Sequence, residues 1–210
     1  MKFEFCSKNI KELEADFELV FVQDKKLGDF KDAKAFFELN EYKGEGLCLD
    51  LAKKRLFIGL KSLDYEDLRL AFFNAYKSLC KLNVKSIKTP SVLGECVMMS
   101  FSSLVQGFLF GAYGFDKYKA EKKTPKIAKI LISSQELNGK KFNISEAKLG
   151  LELGEILSNA TNFTKDIVNE IPFTYTPLKM AEDALNLAKK DKNIKCKIYD
   201  EKFLEKEKMN

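Results

Sequence analysis

Glu152 and Glu155 stand three residues apart in a helical stretch, a spacing that could set two metal ligands on one helix face. The plainer account, two solvated acids opposite an apolar stripe, is preferred. Asp64, Glu66 and Asp67 form a second acidic group, placed where a helix begins and where acids favour the positive end of its dipole. The lysine runs KAEKKTPK (119–126) and LAKKDKNIKCK (187–197) could meet phosphate, but solvated loop and helix surface explain them better. Asp116, Lys117, Tyr118 and Lys119 could form a polar site or simply close a helix. The lone GEG at 44–46 suits a turn between a helix and a strand.

The absences are more decisive. The chain has no histidine. That removes Ser-His-Asp and Cys-His catalysis, H-E-x-x-H zinc sites and imidazole proton shuttles. Neither a Walker loop nor G-x-G-x-x-G occurs. Cys6, Cys48, Cys80, Cys96 and Cys196 are scattered and form no C-x-x-C pair, which fits buried reduced thiols of a cytoplasmic protein. Residue types and spacing therefore assign no catalytic, cofactor-binding or metal-binding residue.

The 36 basic and 31 acidic residues leave a formal charge of +5, and 45% of the chain is hydrophobic, as in an ordinary folded domain. Its 210 residues allow one large domain, or one domain plus part of another. Only Arg55 and Arg69 are arginines, which disfavours sequence-specific DNA reading. The start, MKFEFCSKNIKELEAD, has early acids and no apolar run of signal-peptide type. Residues 96–115 carry no charge and are long enough for a bilayer, but Ser100, Ser102, Ser103, Gln106, Gly107, Gly111 and Gly114 make them too polar for a typical span. Such small residues would let a buried helix lie close to a sheet.

Around these residues the pattern alternates strands with helices. Strands are expected at 2–6, 17–23, 84–89 and 126–133, with 45–51 and 54–60 paired around a tight AKK connection. A short helix is expected within 29–40. A longer one follows Asp64, with Leu68, Phe72, Ala75, Leu79 and Leu82 along one face. From Ser145 to Val168, Leu149, Leu153, Ile156, Ala160, Phe163 and Ile167 mark a helix of about 36 Å at ~1.5 Å per residue, long enough to connect domains. Thr176 and Pro177 then open another helix, with Leu178, Ala181, Leu185 and Ala188 as its stripe. Ile194, Cys196 and Ile198 alternate with lysines in 193–200, which predicts a strand.

Two stretches resemble the leucyl aminopeptidase family. In QGFLFGAYGFDKYKAEKK (106–123), Gly107, Leu109, Gly111, Tyr113, Phe115, Tyr118 and Lys119 match the family's EG-x-x-LG-x-Y-x-F-x-x-YK segment, with Gln106 in place of Glu. In 164–184, Asp166, Ile167, Asn169, Thr176, Pro177, Met180 and Ala181 match a helix end, a proline-containing loop and a T-P helix start. Lys165 replaces the usual Arg, Phe173 stands where Asn is frequent, and Asn210 where Gly is common.

The resemblance implies a macro-domain-like α/β fold, a mixed sheet flanked by helices, over 1–144. A connector helix would follow at 145–171, and the first helix and strand of a truncated catalytic domain at 172–210. It also implies a cytoplasmic parent enzyme, a hexameric exopeptidase that removes N-terminal residues from peptides with two divalent metals, Mn or Zn. The family's metal-binding signature does not occur here, so no family site residue is carried over: catalytic none, cofactor-binding none, metal none. The expected role of these residues is architecture and self-association. The alternatives are a stand-alone macro-like module binding a nucleotide or ADP-ribose, and a DNA-binding accessory domain, although no defined DNA motif is matched.

Overall fold

In the computed structural model, which describes residues 1–121, 126–136 and 142–209, six segments pair into one sheet. They are β1 (Lys2–Cys6), β2 (Phe17–Gln23), β3 (Leu47–Asp50), β4 (Arg55–Leu60), β5 (Ser86–Ser91) and β6 (Lys129–Glu136). Their order is β1-β6-β5-β2-β4-β3, with every neighbouring pair parallel except β3 and β4. The helices are α1 (Lys34–Leu39), α2 (Tyr65–Leu79), α3 (Val97–Ala112), α4 (Ile144–Asn169), α5 (Pro177–Lys190) and α6 (Glu201–Lys206). This is the mixed α/β sheet flanked by helices that the family resemblance implies.

Side-chain alternation divides the core between the two faces. Phe17, Leu19 and Phe21 of β2 enter the main core, where Phe21 meets Phe72 of α2 edge-on at 5.5 Å. Phe72 is fully enclosed, and burial of such a side chain contributes about 1.5–3 kcal/mol. Val22 points the other way, into a smaller cluster with Phe37, Tyr42 and Phe57, whose rings pack as close as 4.7 Å. The α1 segment therefore covers one face, and α2 and α3 the other.

The small residues of α3 serve a contact that differs from the expected one. A Cβ on Gly107 would lie 2.5 Å from the Arg69 carbonyl oxygen, and one on Gly111 would lie 2.9 Å from Tyr76 Cβ. Both glycines thus admit α2, not the sheet. Gly150 and Gly154 of α4 repeat the device on another flank, against the Met98 carbonyl oxygen and Val105. With α2, α4 and the sheet around it, α3 has no room for charge, and Ser100, Ser102, Ser103 and Gln106 are buried. Among the described residues no helix is long and apolar enough to cross a membrane.

Pro90 lies within β5, an internal strand. The ladder to β6 is irregular between Thr89 and Ser91, and β2 pairs with β5 only at Ile87 and Lys88. A residue without an N–H is tolerated inside a sheet at such a bulge. At the other end of β5, Asp16 Oδ2 accepts from the N–H groups of Lys85 and Ser86 at 2.7 and 2.9 Å, fixing the strand's entry.

The chain's contacts divide it into Met1–Asn162 and Phe163–Asn210. The division falls inside α4, whose 26 residues span about 39 Å. Its first half contributes Ala147 and Leu151 to the main core. In the second unit, Thr176 Oγ1 accepts from Lys179 N at 3.3 Å, with Pro177 in the first turn, so α5 begins as expected. No residue of α5 is buried. The strand expected at 193–200 does not form. A strand needs a ladder partner, and no strand is present among the described residues of this unit. Asp200 instead caps α6, accepting from Phe203 N at 2.9 Å, a helix the sequence reading missed.

Candidate functional site

Open α/β sheets bind ligands beyond the carboxyl ends of their strands, where adjacent connections leave toward opposite faces. β2 and β4 are such neighbours. After β2 the chain runs to the α1 face, and after β4 it enters α2 on the other. A cavity of about 630 Å³ opens there. Its apolar lining comes from Leu47, Ile58, Leu60, Leu70 and Ala71, and its charged lining from Asp24, Lys25, Glu45, Lys61 and Asp67.

The GEG loop forms one wall. Gly44 and Gly46 adopt φ of +83° and +66°, which side chains other than glycine rarely tolerate. The Gly44 carbonyl oxygen lies 2.2 Å from where a Cβ on Gly59 would stand, and Gly59 N donates to the Gly46 carbonyl at 2.8 Å. The loop is thereby clamped onto β4. The turn reading of GEG is correct, but its part in a cavity wall depends on Gly59, thirteen residues beyond Gly46. Lys25 pairs with Glu45 at 2.7 Å, and its hydrogen bond holds the Glu45 carboxyl below the ordinary carboxylate range.

A second cavity, of about 570 Å³, lies beside α1 and is lined by Leu27, Phe30, Phe37 and Tyr42 with Lys31 and Lys34. The Tyr42 hydroxyl is buried without a hydrogen bond, and burial raises its pKa well above 10.

The carboxylates singled out in the sequence do not converge. Glu152 and Glu155 are exposed on α4. Asp64 caps α2 through Glu66 N at 2.9 Å, Glu66 pairs with Arg69, and Asp67 accepts from Ser62 Oγ at 2.7 Å. Asp116 pairs with Lys119, and the Phe115 and Tyr118 rings lie 5.9 Å apart. Of the first lysine run, residues 122–125 lie outside the described residues; in the second, Lys197 lies over the Tyr199 ring. Among the described residues no group of three or more His, Cys, Asp or Glu side chains could hold a metal ion. These residues do not fit a two-metal centre.

Both arginines serve built networks. Arg55 donates to Asp32 at 2.8 Å and Asp50 at 3.2 Å while lying 5.1 Å from the Phe57 ring centre. Arg69 donates to Gln106 Oε1 at 3.1 Å, and Gln106 Nε2 donates to Ser102 Oγ at 3.0 Å. Within the two sequence stretches that carry the resemblance, Gly107 and Gly111 bring α3 onto α2, while Asn169 ends α4 and Thr176 caps the start of α5.

No family model matches the chain. Curated relatives do. "Probable cytosol aminopeptidase" of Campylobacter jejuni is 67% identical over 210 residues, covering 100% of this chain and 44% of that protein. Its namesake in Wolinella succinogenes is 31% identical over 206 residues, covering 97% and 42%. The chain therefore spans under half the length of these relatives. Among solved structures, a mutant tomato leucine aminopeptidase matches with a TM-score of 0.80 at 13% identity, covering 100% of this chain and 46% of that one. A bottromycin maturation enzyme matches with a TM-score of 0.67 at 16% identity, covering 92% and 41%. At those identities the structures show the fold alone. Taken with the identity to the curated relatives, they place this chain in the cytosol (leucyl) aminopeptidase family, as a match to the N-terminal part of its members.

Proposed function

We propose that these 210 residues are the non-catalytic N-terminal portion of a cytoplasmic leucyl aminopeptidase, and that they supply architecture and a surface for self-association. The observation that carries this reading is the 67% identity over every residue of the chain, against 44% coverage of the relative. The parent enzyme would remove N-terminal residues from peptides. Two divalent metals, Mn or Zn, would polarise the scissile carbonyl and activate a water. We assign those metals to the portion beyond these residues, because the residues described here do not fit such a centre. The helical pair and mixed sheet of the first unit would form the macro-like domain, and the parent would assemble as a hexamer.

The exposed apolar residues of the second unit support this role. Leu178 is 83% exposed and Phe173 95% exposed, although both flank a well-capped helix start. An interaction face would use such exposed apolar side chains. Hydrolysis of leucyl-p-nitroanilide with Mn²⁺ tests the proposal. The 210-residue chain is expected to be inactive and a longer protein with the two-metal signature active. Metal-dependent turnover by the 210 residues alone would overturn it.

A further inference from the structure

We propose that the cavity at the carboxyl ends of β2 and β4 binds a small zwitterion with an apolar body, of the class of free apolar amino acids and short apolar peptides. This inference stands independently of the aminopeptidase reading, since it rests on the lining of one cavity. The volume of about 630 Å³ lies inside the roughly 300–1,000 Å³ typical of small-molecule sites. Leu47 and Leu70 are 39% and 47% exposed, so the floor keeps apolar surface in contact with water. An apolar ligand body would cover it.

The charged lining selects the rest of the ligand. Lys25 and Lys61 stand among Asp24, Glu45 and Asp67, three acids against two bases. A polyanion such as a nucleoside diphosphate would meet the carboxylates, and an uncharged molecule would use neither sign of charge. A zwitterion complements both. Lys61 lies close enough to Glu45 to help hold its carboxyl low, and the half-buried Asn74 also lines the wall. Lys61 is placed to receive a carboxylate. Glu45 engages Lys25 through Oε1 and Asp67 engages Ser62 through Oδ2, so each keeps a second oxygen for an ammonium group. The Asn74 carboxamide can bond a peptide N–H or C=O. The glycine loop holds this wall without side chains filling the space.

Amide chemical-shift titration of the 210-residue chain with L-leucyl-L-leucine tests the assignment. Saturable shifts at Gly44, Gly46, Gly59 and Asn74 are expected, with a Kd on the order of 1 mM. N-acetyl-L-leucyl-L-leucinamide, which lacks both charges, should bind at least about tenfold more weakly. Lys61→Gln should weaken the dipeptide about fivefold, and Leu70→Glu should abolish its binding. Both side chains are exposed, so both variants keep the fold. The proposal is overturned by absence of saturation up to about 10 mM, by equal binding of the uncharged analogue, or by tighter binding of ADP-ribose at the same amides.

Discussion

At the scale of single residues, Asp16 is the polar anchor at the entry of β5. Its carboxyl lies below the ordinary 3.8, chiefly through the Lys85 N–H and further through the Ser86 N–H and hydroxyl. Hydrogen bonds to a charged acceptor contribute about 1.5–3 kcal/mol, so Asp16→Ala should destabilise the first unit by about that much in urea titration. Because the folded pKa is depressed, the unfolded chain binds the proton first as pH falls. The contribution is full above 3.8 and is lost as pH drops through the lower folded value. Asp16→Asn should flatten that acid limb, and a urea midpoint that still falls as steeply below about pH 4 would contradict it. Little of this is visible in the sequence. Asp16 and Ser86 lie 70 residues apart, and nothing local marks Asp16 as a partner of β5. Cys48 is simpler, since an apolar strand run already implies a buried thiol, and burial indeed raises its pKa.

At the scale of elements, glycine spacing sets how helices meet. Gly107→Ala would place a methyl 2.5 Å from the Arg69 carbonyl oxygen and 2.7 Å from Phe72 Cβ. Backbone on one side cannot move as a side-chain tip can, so the variant should lose about 1–3 kcal/mol and lower the Tm of the first unit. An unchanged Tm by calorimetry would mean that α2 and α3 tolerate a wider separation. The G-x-x-x-G pattern is legible in the sequence, but its partner is not, because a small-residue stripe fits a sheet or a helix equally well. In α5 the cap carries more weight, since the helix has no buried residue. Thr176→Ala should cost about 1 kcal/mol of local stability. Hydrogen exchange should quicken in 177–190 while protection in α2 and α3 stays unchanged. The segment at 193–200 has the alternation of a strand, yet alternation describes only which faces a strand would present. Whether it pairs is decided by another strand.

At the scale of the whole molecule, the two contact units differ in how they use apolar residues. The first encloses Phe57, Phe72, Phe101 and Phe108 completely, whereas the second leaves Leu178 and Phe173 facing water. Limited chymotrypsin digestion should therefore cut first near Phe173 and leave a protected fragment containing the six-stranded sheet. Early cleavage within β2, β4 or α3 would contradict this division.

The order of elements from β1 to α5, the apolar stripe of α2, the caps at Asp64 and Thr176 and the family all follow from the sequence, because periodicity and capping act over a few residues and the motifs have defined spacing. Tertiary structure alone decided which helix the glycines of α3 admit, where Asp16 anchors β5, and that the GEG loop, Lys61 and Asn74 share one cavity. Those outcomes depend on which distant segments a parallel sheet brings side by side. In a parallel sheet, neighbouring strands are joined by long crossovers, so spatial neighbours lie far apart in the chain.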